Sequence, residues 1–270
     1  MIEPGATVCV DSIRADAASR IVALGTQSEK VFFGVRDRVN HWKGLELQAP
    51  AGGSAVTGPS ILTHAVIENA SDVKALGHPI IVEDTFMRRV VPAARAEHCA
   101  TFSVQPHSVN GVAPSRVLRT VIDGLGGFLV TDPVVLTPCP ALRVESVDNQ
   151  PLTLSVRIIN SRWVGMQFGV DFGATMSGQV LLSNCEISGS ASTGLSAFIS
   201  GSATARVSSC NIVGNLIHGA FVLAHPTLPP LDARGNWWGD PAGPQGPKAN
   251  NVSGHIDVSS PLTAPVVLGY

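Results

Sequence analysis

The chain has 270 residues and is poor in charge, in aromatic side chains and in clustered cysteine. Charged residues make up 14% of it, and 18 basic against 20 acidic residues give a net charge of −2 at pH 7. Because no run of Lys or Arg forms a basic face, nucleic acid and anionic membrane surfaces are disfavoured as partners. No apolar run approaches the roughly 18 residues that cross a bilayer, so we expect no membrane span.

Cysteine is present but not in a pattern that builds a framework. The five cysteines are Cys9, Cys99, Cys139, Cys185 and Cys210, and no two of them have CxxC spacing. An odd number without that spacing argues against a complete set of disulfides and against a zinc site. At least one thiol is therefore unpaired within the monomer.

Short apolar runs make up most of what the chain does contain. Hydrophobic residues account for 44% of the sequence, and 27 glycines and 19 prolines interrupt them often. Short β-branched runs broken by Gly, Asn and Ser are typical of many short strands. The composition predicts an all-β protein.

The second half of the chain repeats every 24 or 25 residues. A large apolar residue, one variable residue and a glycine recur in segments 162–165, 186–189, 211–214 and 236–239. The same spacing separates Cys185 from Cys210 and Gly194 from Gly219. One coil of three short strands and three turns has this length, and stacked coils place equivalent residues about 4.8 Å apart. The repeat predicts a single-stranded, right-handed parallel β-helix (solenoid) of about nine or ten coils.

The repeat also predicts where side chains point. Cys185 and Cys210 are expected to stack as two buried free thiols, because parallel side chains do not easily reach the dihedral angle of a disulfide. Trp163 and Trp237 fall on the ladder of Ile187 and are expected in the core or end cap. Trp238 is expected to point outwards or to lie under the C-terminal loop, and an exposed ring there would be a ligand-binding candidate that stacks on a sugar.

Both ends of the chain resemble a known family. Segments 236–244 (NWWGDPAGP) and 252–262 (VSGHIDVSSPL) resemble the closing signature of many bacterial right-handed β-helix proteins of the pectin-lyase-like superfamily. Segments 25–33, 42–47 and 67–70 are similar to the early strands of such proteins, with Glu29-Lys30 in place of the usual proline. The resemblance implies one β-helix domain over residues 1–270, with 236–262 as a C-terminal cap region. It is specific for the fold and not for activity, since the superfamily includes lyases, hydrolases, adhesins and unassigned surface proteins.

The motifs of the established enzymes of this superfamily are missing. Gly77-His78-Pro79 is the nearest approach to a GHG motif, and no Asp-Asp pair exists. The remaining catalytic candidates are Asp84, Asp123 and Arg88, with Arg89 as an alternative to Arg88. Glu83 and Asp84 are candidate calcium ligands, because the lyases of the superfamily hold calcium with carboxylates from adjacent coils. The competing interpretation is that all of these are solvated turn residues and surface ion pairs.

Three functional hypotheses follow. The first is a non-catalytic surface or secreted module that binds a polysaccharide or a surface protein. The second is a carbohydrate-active enzyme, a lyase or hydrolase with a non-standard site. The third is a structural spacer. We expect no cofactor, except calcium if the chain is a lyase. An extracellular or cell-surface location is expected from the resemblance of this charge-poor, β-rich chain to exported proteins, with a preceding domain as a possible cover for the first coil.

Overall fold

The computed structural model describes residues 1–15, 19–34, 42–48, 58–88, 101–105, 115–123, 141–146, 151–159, 169–174, 179–190, 192–224, 227–247 and 249–269. For residues 101, 105, 145, 146, 151–159 and 224 it describes the backbone alone. Within these ranges the chain is almost entirely strand, with one short 3-10 helix at Gly243–Gln245. The all-β prediction is confirmed. Within the same ranges there is no helix long and apolar enough to cross a membrane.

The strands are short and closely spaced. In the first half they are β1 (Thr7–Cys9), β2 (Ile13–Ala15), β3 (Val22–Leu24), β4 (Val31–Gly34), β5 (Trp42–Gln48), β6 (Ser60–Thr63), β7 (Ala65–Glu68), β8 (Ala70–Leu76), β9 (Ile80–Glu83), β10 (Phe86–Arg88), β11 (Thr101–Gln105) and β12 (Arg116–Asp123). In the second half they are β13 (Leu142–Ser146), β14 (Pro151–Ile159), β15 (Val170–Ala174), β16 (Gln179–Ser183), β17 (Glu186–Ser188), β18 (Thr193–Ile199), β19 (Thr204–Ser208), β20 (Asn211–Val213), β21 (His218–Ala224), β22 (Leu231–Asp232), β23 (Val252–Gly254) and β24 (Ile256–Asp257).

These strands form two parallel sheets. Sheet B has nine strands in the order β2-β5-β8-β11-β13-β15-β18-β21-β23. Sheet A has 15 strands in two limbs. Its first limb contains β3, β6, β9, β16, β19, β22 and β24, its second contains β1, β4, β7, β10, β17 and β20, and β12 and β14 run through both. From β2 to β21 the chain returns to sheet B after each visit to the two limbs of sheet A.

Residues with a left-handed backbone conformation lie at the bend between the two limbs of sheet A. His64, Asp84, Arg119, Asn184 and Ser209 all have a φ between +47° and +54° at this bend. Non-glycine residues rarely adopt this conformation. Its recurrence at equivalent positions shows that the bend is a regular feature of the fold. The residue that follows often ties the bend together, because its side chain donates to the carbonyl two residues back. This bond is seen from Thr85 Oγ1 to Glu83 O (2.9 Å), Thr120 Oγ1 to Leu118 O (3.1 Å), Cys185 Sγ to Ser183 O (3.4 Å) and Cys210 Sγ to Ser208 O (3.2 Å).

The core is built from rows of equivalent apolar residues on successive strands. In the second limb of sheet A, one buried row is Phe33, Ile67, Met87, Ile122, Ile187 and Ile212. In sheet B, one buried row is Leu45, Val73, Phe102, Leu142, Val170, Leu195 and Ala220. Stacking of like on like removes one face of each strand from water, which no single strand could do.

The 25-residue spacing is confirmed in the middle of the repeat and wrong at its two ends. Ile187 pairs with Ile212, and Gly194 lies opposite Gly219, as predicted. The residue opposite Ile187 on the preceding strand is Ile158, whereas Trp163 lies outside the described residues. Trp237 pairs with Asn211 instead of Ile212.

The error at Trp237 has a simple cause. The row that contains Cys185 and Cys210 continues to Asn236, whose Oδ1 accepts the Cys210 N–H at 2.9 Å. The last interval is therefore one residue longer than the one before it. A shift of one residue in a strand exchanges inward and outward side chains. This places Trp238, not Trp237, on the buried side. Of the two positions expected for Trp238, the outward one is wrong, because its side chain is fully buried.

The segment predicted as a C-terminal cap contributes strands of its own. Within residues 236–262, β23 extends sheet B and β24 extends sheet A. The side chain of Trp238 is fully buried. Asp240 Oδ1 accepts the Ala242 N–H at 2.8 Å and fixes the turn that precedes the 3-10 helix.

Candidate functional site

Two of the sequence candidates, Glu83 and Asp84, lie together at the bend between the limbs of sheet A. Arg116 Nε donates to Glu83 Oε1 at 2.7 Å. Arg119 donates to both oxygens of Asp84, at 2.7 Å from Nε and 2.8 Å from Nη2. This paired hydrogen bond is the main reason why the pKa of Asp84 lies below its ordinary value. Both carboxylates are thus bound by guanidinium groups of the next strand.

The other two candidates, Asp123 and Arg88, are the last residues of two neighbouring strands in the second limb, β12 and β10. Glu68, Arg88 and Asp123 occupy one row on β7, β10 and β12. Arg88 Nε donates to Glu68 Oε1 at 2.6 Å, and the Glu68 side chain is only 4% exposed. The guanidinium also lies 5.6 Å from the centre of the Phe86 ring. Burial raises the pKa of Asp123, and the charge of Arg88 partly offsets that rise.

The structure therefore divides the predicted carboxylates between two places. Glu83 and Asp84 face Arg116 and Arg119, whereas Asp123 faces Arg88. Among the described residues, no three His, Cys, Asp or Glu side chains come close enough together to hold a metal ion. Arg89 lies outside the described residues. Catalytic roles for Asp84, Asp123 and Arg88 and calcium binding by Glu83 and Asp84 remain predictions.

Trp238, the predicted sugar-stacking residue, has none of its surface exposed to solvent. Its ring packs against Gly219, where an added Cβ would lie 3.2 Å from two ring carbons. The ring is part of the core, and surface stacking on a ligand is excluded in this arrangement.

Sequence reasoning missed a buried serine–histidine pair. Ser60 Oγ lies 2.9 Å from His78 Nε2, and both side chains are fully buried. Ser60 Oγ also accepts the Ile21 N–H at 3.0 Å, so the pair ties β6 to the chain before β3. Burial lowers the pKa of His78. His78 Nδ1 has no hydrogen-bond partner among the described residues. The Gly-His-Pro sequence gave no indication of the serine 18 residues earlier.

Sequence reasoning also missed an exposed apolar face on sheet B, which we call the apolar face. Its strand residues are Phe198, Phe221 and Leu223, which are 46%, 40% and 59% exposed. Leu216 and Ile217, immediately before β21, are 77% and 52% exposed. The His218 ring stacks on Phe221, with centroids 6.3 Å apart and planes inclined by 26°. The sequence does contain an indication of this face, since β18 and β21 are apolar at most positions and lack the alternation of apolar and polar residues that a half-exposed strand shows.

The rest of this outer surface has a different character. In the row that contains Phe221, charged residues on the earlier strands include Arg14, Glu46, Lys74, Arg143 and Asp171. Their signs alternate in part, and Arg143 Nε lies 3.5 Å from Asp171 Oδ2. Ser196 and Ser253 flank Phe221 on the neighbouring strands. The solvent face of sheet B thus changes from charged to apolar along its length.

Comparison of the chain with protein-family models, with curated proteins and with solved structures finds no match.

Proposed function

We propose that the chain is a right-handed parallel β-helix of the pectin-lyase-like type that binds a glycan without transforming it. The single observation that carries the functional part is the pair of exposed rings, Phe198 and Phe221, on the solvent face of sheet B. The parallel pairing of every strand and the return of the chain to each sheet in turn support the helical part. The charge-poor composition and the resemblance of residues 236–262 support an extracellular or cell-surface location.

The surroundings of the rings favour a sugar over a protein. A sugar offers an apolar C–H face to an aromatic ring and hydroxyl groups at its edge. Phe221 supplies such a ring, and Ser196, Ser253 and Asp171 provide hydrogen-bonding groups in the same row. A stable protein interface buries about 800 Å² on each partner, more than five neighbouring apolar side chains provide. A structural spacer requires no exposed apolar surface, so the apolar face argues against that hypothesis.

A glycan panel tests the proposal directly. We expect the protein to bind at least one glycan, and Phe198→Ser with Phe221→Ser to weaken that binding about tenfold or more. Leu24→Ser is the matched control, because Leu24 is an exposed apolar residue (38%) on sheet A. Binding that is unchanged in the double variant, or absent from the whole panel, would contradict the proposal. If a defined protein binds through the same two rings and no glycan does, the partner is a protein and the glycan proposal is wrong.

A carbohydrate-active enzyme is the second candidate, favoured by the raised pKa of Asp123 beside Arg88. A half-buried carboxyl group with a raised pKa next to a guanidinium is a common arrangement in catalytic sites. The same polysaccharide panel, assayed with and without calcium, separates the two functions. Sustained release of reducing or unsaturated ends, lost in Asp123→Asn, would establish the enzyme and overturn the non-catalytic proposal.

A further inference from the structure

A cleft of about 410 Å³ lies on the outer face of the first limb of sheet A. Its apolar walls come from Leu181, Pro229 and Pro230, and its charged groups are Arg206 and Asp232. The volume falls within the range of about 300–1,000 Å³ that is typical of small-molecule sites. Most of its lining comes from sheet A, with Ile199 of sheet B at its edge, and none of the five residues of the apolar face lines it.

Arg206 has its hydrogen-bonding capacity available in this cleft. Leu181, Arg206 and Asp232 occupy one row on β16, β19 and β22. Arg206 Nε lies 3.6 Å from Asp232 Oδ2, beyond good hydrogen-bond distance, and its side chain is 60% exposed. Among the described residues, the Arg206 side chain makes no shorter polar contact. Five N–H donors in a planar fork therefore face a partly apolar cleft.

Asp232 compensates the charge of Arg206 only in part, because a second arginine already binds both of its carboxylate oxygens. Arg234 donates to both carboxylate oxygens of Asp232, at 2.8 Å from Nε and 3.1 Å from Nη2. These bonds hold the pKa of Asp232 below its ordinary value, so it stays ionised and bound to Arg234. The cleft then combines apolar walls with one guanidinium whose counter-ion, Asp232, is hydrogen-bonded to another arginine.

We propose that this cleft binds a small organic carboxylate, whose apolar body packs between Leu181 and the Pro229-Pro230 turn while its carboxylate pairs with Arg206. The planar carboxylate matches the guanidinium fork and allows two parallel hydrogen bonds. The apolar walls reward a ring or chain beside that group. Nothing in this assignment depends on glycan binding at the apolar face.

The test uses two probes with the same ring and different charge, 2-naphthoate and 2-naphthalenemethanol. Binding to the full chain is measured by isothermal titration calorimetry, and the site is located by NMR shifts of the Leu181 and Arg206 amides. We expect naphthoate to bind about tenfold more tightly than the neutral alcohol. Arg206→Gln should weaken naphthoate about tenfold and leave the alcohol unchanged. Asp232→Asn should strengthen naphthoate binding, since it removes the one negative charge that lines the cleft.

Arg143→Gln is the matched control, because Arg143 is 47% exposed and lies 3.5 Å from Asp171 on sheet B. Naphthoate affinity should not change in that variant. Far-ultraviolet circular dichroism confirms that each variant is folded. The proposal is overturned if naphthoate does not bind, if the alcohol binds equally well, or if Arg206→Gln retains the affinity of the unaltered protein.

Discussion

The main-chain N–H of Cys185, between β16 and β17, donates at 3.4 Å to the Sγ of Cys210, which occupies the equivalent place between β19 and β20. Both side chains are fully buried and both thiols are free. Their own S–H groups donate to Ser183 O and Ser208 O, so each sulfur also stabilises the bend between the limbs of sheet A. The stacked pair of free thiols expected from the 25-residue spacing is found.

These two thiols should resist modification in the native protein. Burial, reinforced by the neighbouring Cys185, raises the pKa of the Cys210 thiol well above its ordinary value, so little reactive thiolate forms. Cys9 is exposed and should react with iodoacetamide under native conditions. Mass spectrometry should find Cys185 and Cys210 alkylated only in denaturant. A peptide pair joined by a 185–210 disulfide would contradict the assignment.

The free energy of unfolding should fall as pH is lowered through 6.5, because of His78. Its pKa is lowered in the folded state from an ordinary value of 6.5, so protonation favours the unfolded chain. The stabilisation is complete above pH 6.5 and is lost progressively towards the lower pKa of the folded state. Urea denaturation between about pH 5 and 8 measures it. His78→Gln should remove this part of the pH dependence, and an unchanged slope would show that another group causes it.

Gly235→Ala should cost about 1 kcal/mol in the free energy of unfolding, through backbone conformation alone. Gly235 has a φ of +69°, and no heavy atom lies within 4 Å of an added Cβ. Gly269→Ala is the control, because its surroundings are equally open and it lacks a positive φ. Gly194→Ala should cost more than Gly235→Ala, since its Cβ would lie 2.5 Å from Asn215 Nδ2 and 2.9 Å from Gly219 O. An equal cost for all three would refute this account.

Arg88→Met should destabilise the protein by about 3 kcal/mol, because the buried Glu68 carboxylate would lose its charged hydrogen bond from the Arg88 guanidinium. The double variant Glu68→Gln with Arg88→Met should be more stable than Arg88→Met alone, since no buried charge remains. Urea denaturation of the two single variants and the double variant gives the interaction energy. Additive effects would mean that the pair at 2.6 Å contributes no coupling.

The positions of several strands could be predicted from the sequence, and the contacts of the candidate site could not. Segments 31–33 and 42–47 resemble early strands of the superfamily, and both lie in strands of the two sheets. Glu83 is the last residue of β9 and Asp123 the last of β12. Which arginine each one contacts could not be predicted, because Arg116 and Arg119 lie more than 30 residues from their partners.

The sequence by itself determined the all-β class and the middle of the repeat, because period-two patterns and regular spacing are local properties of the chain. Only the tertiary structure decided which residue stacks on which where the spacing changes. One additional residue before Asn236 buries Trp238 and moves Trp237 opposite Asn211. Asn211 in turn makes two hydrogen bonds with the main chain of Val266, at 2.8 and 2.9 Å, 55 residues away. Such contacts depend on the register of neighbouring strands, and register is fixed by packing of the whole stack.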